Sequence, residues 1–329
     1  MMFRSACVVL ALLSAPARAD VPVVATDIAA VHSLAAQVME GVGTPEMVVQ
    51  PGVSPHGHAL RPTEAAALEA ADLVFQVGGG LTPWLDGALE TLSADASVLT
   101  LIEVPGTLRH AMRDNVIFKV DAHDAGHDHG HDGAHEDEEA AHDAGQDHGH
   151  AGGDHGHAHD GIDPHAWLDP ENGKLWLDAM ADALAVADPG NAALYRANAA
   201  EGKNRIEAAT TRIETMLAPV RDARFVVFHD AYQYFERRFG LSVVGAIAVS
   251  DARTPGPARL ARLRNGLAER NVVCIFAEPQ FDPGIVEVVL EGSTARAAVL
   301  DPMGADIPPG PAFYTRLLTG LARAIVDCA

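Results

Sequence analysis

Short apolar runs alternate along the chain with longer stretches in which apolar residues recur every three or four positions. In the first half, "VPVVATD", "MVVQ", "DLVFQVG" and "SVLTLIE" have the strand pattern, whereas "IAAVHSLAAQVME" and "RPTEAAALEA" have the helical one. A further helix is expected after Pro83. Strands that alternate with helices in this way predict βαβ units and a mostly parallel sheet.

The second half of the chain repeats this order. Its strand-like runs are "RFVVF", "SVVGAIAV", "VVCIFAE" and "AAVLD", and helices are expected through "AYQYFERRF", "ARLARLRNGLAER" and "GIVEVVLEG", with a closing helix to about Asp327. Between the halves, a stretch rich in Ala, Glu and Arg predicts one helix from about Asn191 to Leu217, bounded by Pro189 and Pro219. A helix of this length spans about 40 Å. We therefore expect an α/β fold of two lobes, each a mostly parallel sheet with flanking helices, joined by one long helix.

These elements divide the chain into an N-terminal lobe (20–172), linking helices (173–221) and a C-terminal lobe (222–329). A chain of this length can form two domains, each with its own core. The first nineteen residues combine Arg4, an apolar run and a small-residue stretch ending at Ala19, which predicts a signal peptide cleaved before Asp20.

We expect an exported, soluble protein. The apolar run of the signal is too short to span a bilayer, and no other stretch has the length of a membrane helix. Cys7 lacks the preceding small residues that a lipid-modified cysteine requires, so no lipid anchor is expected. The 45 acidic residues against 23 basic ones disfavour nucleic acid and anionic membranes as partners and favour cations.

A polar insertion at residues 121–160 interrupts the first lobe. It holds eleven of the seventeen histidines and twelve acidic residues, with no Lys or Arg, and it is expected to be disordered because it has too little apolar surface to bury. Ligands on such a chain lose entropy when they organise around an ion, so we expect weak, accessory metal binding. The alternative is a solvated spacer. The accessory ligands would be His123, His127, His129, His131, His135, His142, His148, His150, His155, His157 and His159.

Four residues elsewhere are stronger metal-ligand candidates. Ligands of open α/β sheets bind beyond the carboxyl ends of the strands. His56, His165, His229 and Asp301 all lie at predicted strand ends or in loops. Three imidazoles and one carboxylate suit tetrahedral Zn²⁺. Taken singly, each residue has a structural explanation as a loop residue, a strand-end hydrogen-bonding group or a helix cap.

Two cysteines, Cys274 and Cys328, remain after removal of the signal. In an oxidising compartment an even pair predicts a disulfide bond, and the alternative is two buried thiols.

Several segments give the chain a specific family resemblance. "SPHGHALRPTE", "DPHAWLDP", "FVVFHDAYQYFERRFGL", "FAEPQF" and "LDPMG" resemble the ZnuA group of the metal-binding receptors that serve ABC importers, in the same order along the chain. The resemblance implies two α/β lobes bridged by a long helix, with the metal in the cleft between them. It assigns metal-binding roles to His56, His165 and His229, and to Asp301 the place of a fourth ligand that some members leave to water or a neighbouring acid. The two cysteines also match a disulfide of some zinc-binding members.

The resemblance bears on the choice of metal. Manganese receptors of this family carry a glutamate in place of His229, and imidazole favours zinc over the harder manganese ion. Some zinc-binding members have a mobile glutamate before the first histidine, where this chain has Pro55. Asp301 is therefore the better candidate for the fourth ligand.

Neighbouring residues receive other roles. We expect His58 to be a solvent-facing loop residue, and His32 and His110 to be structural. Trp167 and Tyr232 are expected to pack near the site. Asp230 is expected either to orient a ligand or to cap the following helix.

The expected function is periplasmic capture of Zn²⁺ as cargo, by a monomer, and its delivery to the permease and ATPase of an ABC importer. One alternative is a zinc buffer or metallochaperone that acts through the histidine-rich insertion, and another is a manganese receptor of the same fold. An enzyme is not expected, because "HExxH" and a nucleophile elbow are absent and four protein ligands would close the metal site against substrate.

Overall fold

A computed structural model describes residues 21–78, 80–113, 161–248 and 255–329. The predicted signal peptide and the histidine-rich insertion lie outside these described residues. None of the described helices is long and apolar enough to cross a membrane.

The first lobe is built on a parallel four-stranded sheet in the order β2-β1-β3-β4. Every residue of β1 and β3 is buried, as their unbroken apolar runs require, because helices cover a parallel sheet on both faces. The strands are β1 (Val24–Thr26), β2 (Glu46–Met47), β3 (Leu73–Gln76) and β4 (Ser97–Thr100), and the helices are α1 (Ala29–Val38), α2 (Pro62–Glu69) and α3 (Leu85–Leu92).

The second lobe repeats this plan with a parallel sheet in the order β6-β5-β7-β8. In each sheet the first strand of the lobe is central, which leaves a crevice at the carboxyl ends of the strands where the order reverses. The strands are β5 (Arg224–His229), β6 (Ser242–Ala248), β7 (Val272–Ala277) and β8 (Arg296–Val299), and the helices are α6 (Gln233–Phe239), α7 (Pro257–Glu269) and α8 (Gly284–Leu290).

Three long helices connect the two sheets. They are α4 (Pro170–Ala187), α5 (Ala192–Leu217) and the C-terminal α9 (Phe313–Cys328). The predicted long helix is confirmed, since α5 begins one residue after Asn191 and ends at Leu217. The two parallel sheets with flanking helices confirm the predicted fold class.

The hydrophobic core is shared by the two lobes. One continuous cluster of buried side chains includes Val74 of the first sheet and Phe276 of the second, and a smaller cluster covers the other face of the second sheet. The expectation that each lobe has a core of its own is therefore wrong for the larger cluster. The reason is that α9 packs against α1 and α5 as well as β8, and so continues the core from one sheet to the other.

A disulfide bond joins Cys274 of β7 to Cys328 at the end of α9, as the sequence predicts. The Cα atoms of the two residues are 6.1 Å apart, and both are buried. This bond attaches the C-terminal helix to the second sheet.

Asp27 is a fully buried acidic residue at the carboxyl end of the central strand β1. It accepts hydrogen bonds from the backbone N–H groups of Ile28 and Val77 at 2.7 and 2.6 Å. Burial disfavours the charged form and raises the pKa of Asp27 to about 7, although these backbone donors act in the opposite direction.

This raised pKa predicts a pH-dependent stability. A carboxyl group whose pKa is higher in the folded state stabilises the fold at acidic pH and loses that contribution as the pH rises through about 7. Asp27→Asn removes the titration and places an amide donor opposite an N–H group, so the variant should be less stable than the wild type at pH 5. The deficit should shrink by up to about 1.4 kcal/mol per pH unit between pH 5 and about 7, and it should stay constant above that pH. Urea unfolding of both proteins at pH 5, 6.5 and 8 measures this difference, and a constant difference would refute the assignment to Asp27.

Candidate metal centre

Three of the four predicted ligands come together at the carboxyl ends of the strands. His229 is the last residue of β5, His56 lies in the loop between β2 and α2, and His165 lies in the segment 161–169 before α4. One ring nitrogen from each histidine lies within 4.8 Å of the others. His165 and His229 are buried, and His56 is half-buried. Among the described residues, this is the group whose ligand atoms converge closely enough to hold a metal ion.

Two carboxylates hold the buried imidazoles in place. Asp163 Oδ1 lies 2.7 Å from Nδ1 of His165, and Glu278 Oε1 lies 2.7 Å from Nδ1 of His229. Each carboxylate also accepts the backbone N–H of the same histidine, at 3.0 and 3.2 Å. A carboxylate on the outer nitrogen of a histidine fixes the tautomer and the ring orientation of metal ligands.

This arrangement directs two lone pairs at one point. In the neutral imidazole, an Nδ1–H group that donates a hydrogen bond to a carboxylate leaves Nε2 as the nitrogen with the free lone pair, and both rings have this arrangement. The two Nε2 atoms are 3.3 Å apart. Two facing lone pairs at this distance repel each other, whereas a cation placed between them attracts both. The local geometry therefore fits a cation better than a hydrogen bond between the rings.

The loop that carries His56 is held by contacts with both halves of the fold. Trp84 Nε1 donates to the carbonyl oxygen of Pro55 at 2.7 Å, directly before the histidine. On the other side, Gly52 has a φ of +78°, and a Cβ atom added to it would lie 2.9 Å from Cβ of Ala305. Both the left-handed backbone and the close approach explain why glycine occupies this position.

Asp301 lies outside the histidine group. Its Oδ1 accepts the backbone N–H groups of Met303 and Gly304 at 2.9 and 3.0 Å, and its Oδ2 accepts that of Ala305 at 2.6 Å. In this structure the carboxylate organises the turn that touches Gly52, and so it supports the His56 loop from the second lobe.

Asp230 takes neither of the two roles considered for it. Its carboxylate binds the guanidinium group of Arg113, with Nε–Oδ2 at 2.9 Å, and Arg113 also reaches Glu236 at 2.8 Å. The helix that follows has Tyr232 at its N-cap position, with no side-chain cap bond. Asp230 is adjacent to His229 in the sequence, but consecutive residues at the end of a strand point in opposite directions, so its carboxylate meets Arg113 instead.

The other histidines in the described part of the chain, His32, His58 and His110, lie outside the metal group. The side chain of His58 is only 5% exposed and pairs with Glu64 at 2.7 Å, so the expectation that it faces solvent is wrong. His32 is buried and lies 3.2 Å from the carbonyl oxygen of Pro45, and the His110 ring packs against Tyr234 with a centroid distance of 4.7 Å.

The two aromatic residues near the site pack as predicted. Trp167 and Tyr232 are buried, and the Trp167 ring lies 5.2 Å from that of His165. Burial, then the charges of Glu278 and Asp301, raise the pKa of Tyr232 well above its usual value, so its hydroxyl stays protonated. It donates to the carbonyl oxygen of Leu300 at 2.9 Å.

Sequence reasoning missed Asp163 and Glu278, although each had a positional signal. Asp163 stands two residues before His165 in "DPH", and Glu278 directly follows β7, the strand next to β5. Glu278 satisfies the same strand-end criterion as His229, whereas the signal for Asp163 is its closeness in sequence to His165.

Replacing Glu278 with glutamine should weaken zinc binding by about 10-fold, because the amide still accepts the Nδ1 proton but lacks the charge that makes the imidazole a stronger ligand. Glu64→Gln is a matched control: Glu64 is also buried and contacts a histidine at 2.7 Å, but that histidine is outside the metal group. Competition with a chelator of known affinity, at one pH, measures both variants. Equal losses in the two would contradict the orienting role of Glu278.

The chain matches a known family over almost its whole length. The family described as "Zinc-uptake complex component A periplasmic" matches residues 23–328. A protein named "High-affinity zinc uptake system protein ZnuA" from Paracoccus denitrificans is 46% identical over 314 residues, which is 95% of this chain and 93% of that protein. One of the same name from Brucella abortus is 40% identical over 305 residues, covering 93% and 91% of the two chains.

Solved structures show the same fold at lower sequence identity. A structure described as "Crystal structure of ZnuA" superposes with a TM-score of 0.69 at 22% identity, covering 93% of this chain and 100% of the other. A Cd-bound periplasmic metal-binding protein from Candidatus Liberibacter asiaticus gives a TM-score of 0.70 at 18% identity, with 93% and 98% covered. Both likenesses show the fold.

Proposed function

Since the chain belongs to the ZnuA family of periplasmic components of zinc-uptake complexes, we propose that it captures Zn²⁺ at His56, His165 and His229 and delivers the ion for uptake. The zinc ion is cargo in this account. The family is one of solute-binding receptors, and we assign the chain no catalytic step.

One observation carries the assignment of the ion. The Nε2 atoms of His165 and His229 are 3.3 Å apart. Two nitrogen ligands at the usual Zn–N distance of about 2.0–2.1 Å, separated by the tetrahedral angle, lie about 3.3 Å from each other. The two buried imidazoles therefore already stand at the separation that tetrahedral zinc requires.

The donor set favours zinc over manganese. The converging group contains three imidazole nitrogens and no carboxylate oxygen, and imidazole suits zinc, whereas manganese prefers carboxylate and water. Asp163 and Glu278 bring negative charge next to the divalent ion through the histidine rings. We keep Asp301 as the proposed fourth ligand; its oxygens would have to bind the ion while still accepting the N–H groups of their turn.

The proposed recipient is the membrane permease of an ABC importer, which works with its ATPase. We propose that residues 1–19 direct export to the periplasm and are removed there, and that the mature protein carries no lipid anchor. Release requires that the ligands separate, which a site assembled from loops of both lobes allows.

We propose an accessory role for the histidine-rich insertion, namely the gathering of zinc near the centre with lower affinity. The competing hypothesis is that this insertion is the principal binding element and that the protein acts as a zinc buffer. The three-histidine centre favours the receptor function, because two of its ligands, His165 and His229, are held in place by buried carboxylates.

Zinc titration of two variants separates these hypotheses. One variant lacks residues 121–160, and the other keeps them but carries His56→Ala, His165→Ala and His229→Ala together. The receptor function predicts one tight site in the deletion variant and only weak sites in the triple variant. The reverse result, with tight binding lost only on deletion of the insertion, would favour the buffer.

A further inference from the structure

The segment that carries His165 is held by the second lobe. Gln233, the first residue of α6, is 1% exposed, and its Nε2 donates to the carbonyl oxygen of Ala111 at 2.9 Å and to Oδ2 of Asp163 at 3.3 Å. The other oxygen of Asp163 is the one that holds His165. A single buried amide therefore fixes the carboxylate that orients this histidine.

Two more side chains of α6 bind the same segment. The hydroxyl of Tyr234 donates to the carbonyl oxygen of Asp163 at 2.8 Å. Arg238 forms a two-point ion pair with Asp169, at 2.8 and 2.9 Å. The segment 161–169 is thus attached to α6 near both of its ends. Gly80 of the first lobe lies close to the same segment: a Cβ atom added to Gly80 would lie 3.5 Å from Cβ of Pro164.

These contacts join His165 to His229. His229 ends β5, and Gln233 begins α6 only four residues later. One strand-helix connection therefore carries one histidine and clamps the other.

We infer that Gln233 is the positioning residue of His165, because it holds the carboxylate of Asp163 that orients this histidine beside His229. The inference rests on the proposed zinc site.

The test is a double-mutant cycle on the full-length protein, with zinc affinity measured by chelator competition. Gln233→Leu keeps the side-chain volume and removes the donor. It should weaken binding about 10- to 100-fold in the wild type, as loss of an outer hydrogen-bond partner commonly does. In the His165→Ala background it should have no further effect, because the ring that it positions is absent. In the His56→Ala background the loss should persist.

Gln76→Leu is the control, since Gln76 is also buried at a strand end but bonds Thr100 instead of the site. It should leave zinc affinity unchanged. An equal loss from Gln233→Leu with and without His165 would show a general structural effect and overturn the inference, as would unchanged affinity in the wild type. Failure of the proposed function itself is distinguishable, because His165→Ala alone would then leave tight zinc binding intact.

Discussion

Replacing His229 with alanine is expected to weaken zinc binding by more than about 100-fold. Loss of an outer partner of a metal-bound histidine typically costs 10- to 100-fold in affinity, so loss of the ligand itself should cost more. His165→Ala should have an effect of the same size, because the two imidazoles form a buried pair whose Nε2 atoms are 3.3 Å apart. Chelator competition gives the affinities directly.

The control for these variants is His32→Ala, which removes a buried histidine bonded to a backbone carbonyl away from the group. Its zinc affinity should stay within a few-fold of the wild type. If His229→Ala and His32→Ala bound zinc equally well, the three-histidine centre would not be the site of tight binding.

Removing the disulfide with Cys274→Ser and Cys328→Ser together is expected to lower the free energy of unfolding by about 4 kcal/mol. The bond closes a loop with a sequence separation of 54 residues, and a cross-link of this span restricts the unfolded chain by about that amount in the chain-entropy model. It also fixes α9, which packs against α1 and α5 and continues the shared core. Denaturant unfolding of the metal-free protein measures the change.

Wild-type protein treated with a reductant is the comparison for the double serine variant, and the two should unfold at the same denaturant concentration. An unfolding midpoint equal to that of the oxidised wild type would contradict the stabilising role of the bond. Zinc affinity should be retained in both, because neither cysteine contacts a residue of the metal group.

The secondary structure could be predicted because its determinants are local. The buried strands β3 and β5 have unbroken apolar sequences, and the extent of α5 follows from its composition and the flanking Pro189 and Pro219. The short β2 illustrates the limit of this reasoning: "MVVQ" has a strand pattern, but the strand covers only Glu46–Met47. Pairing partners set the length of a strand, and they are remote in sequence.

The candidate site was predictable in part for the same reason. Strand-end positions and motifs selected His56, His165 and His229, which the structure brings together. The bond between Glu278 and His229 joins residues 49 positions apart, and the link from Gln233 to Asp163 spans 70 positions. Such pairs depend on how the sheets and helices pack. Asp301 shows that a strand-end position does not by itself identify a ligand. Its carboxylate accepts hydrogen bonds from the backbone N–H groups of its own turn.

A crystal structure of the full-length protein with one equivalent of zinc, with anomalous data at the zinc edge, tests the central claim most directly. The account predicts one strong anomalous peak about 2.0–2.1 Å from a ring nitrogen of each of His56, His165 and His229. Nε2 should be the ligand atom of His165 and His229, with Asp163 and Glu278 still on their Nδ1 atoms. A fully occupied zinc ion bound elsewhere, with these three histidines unliganded, would contradict it.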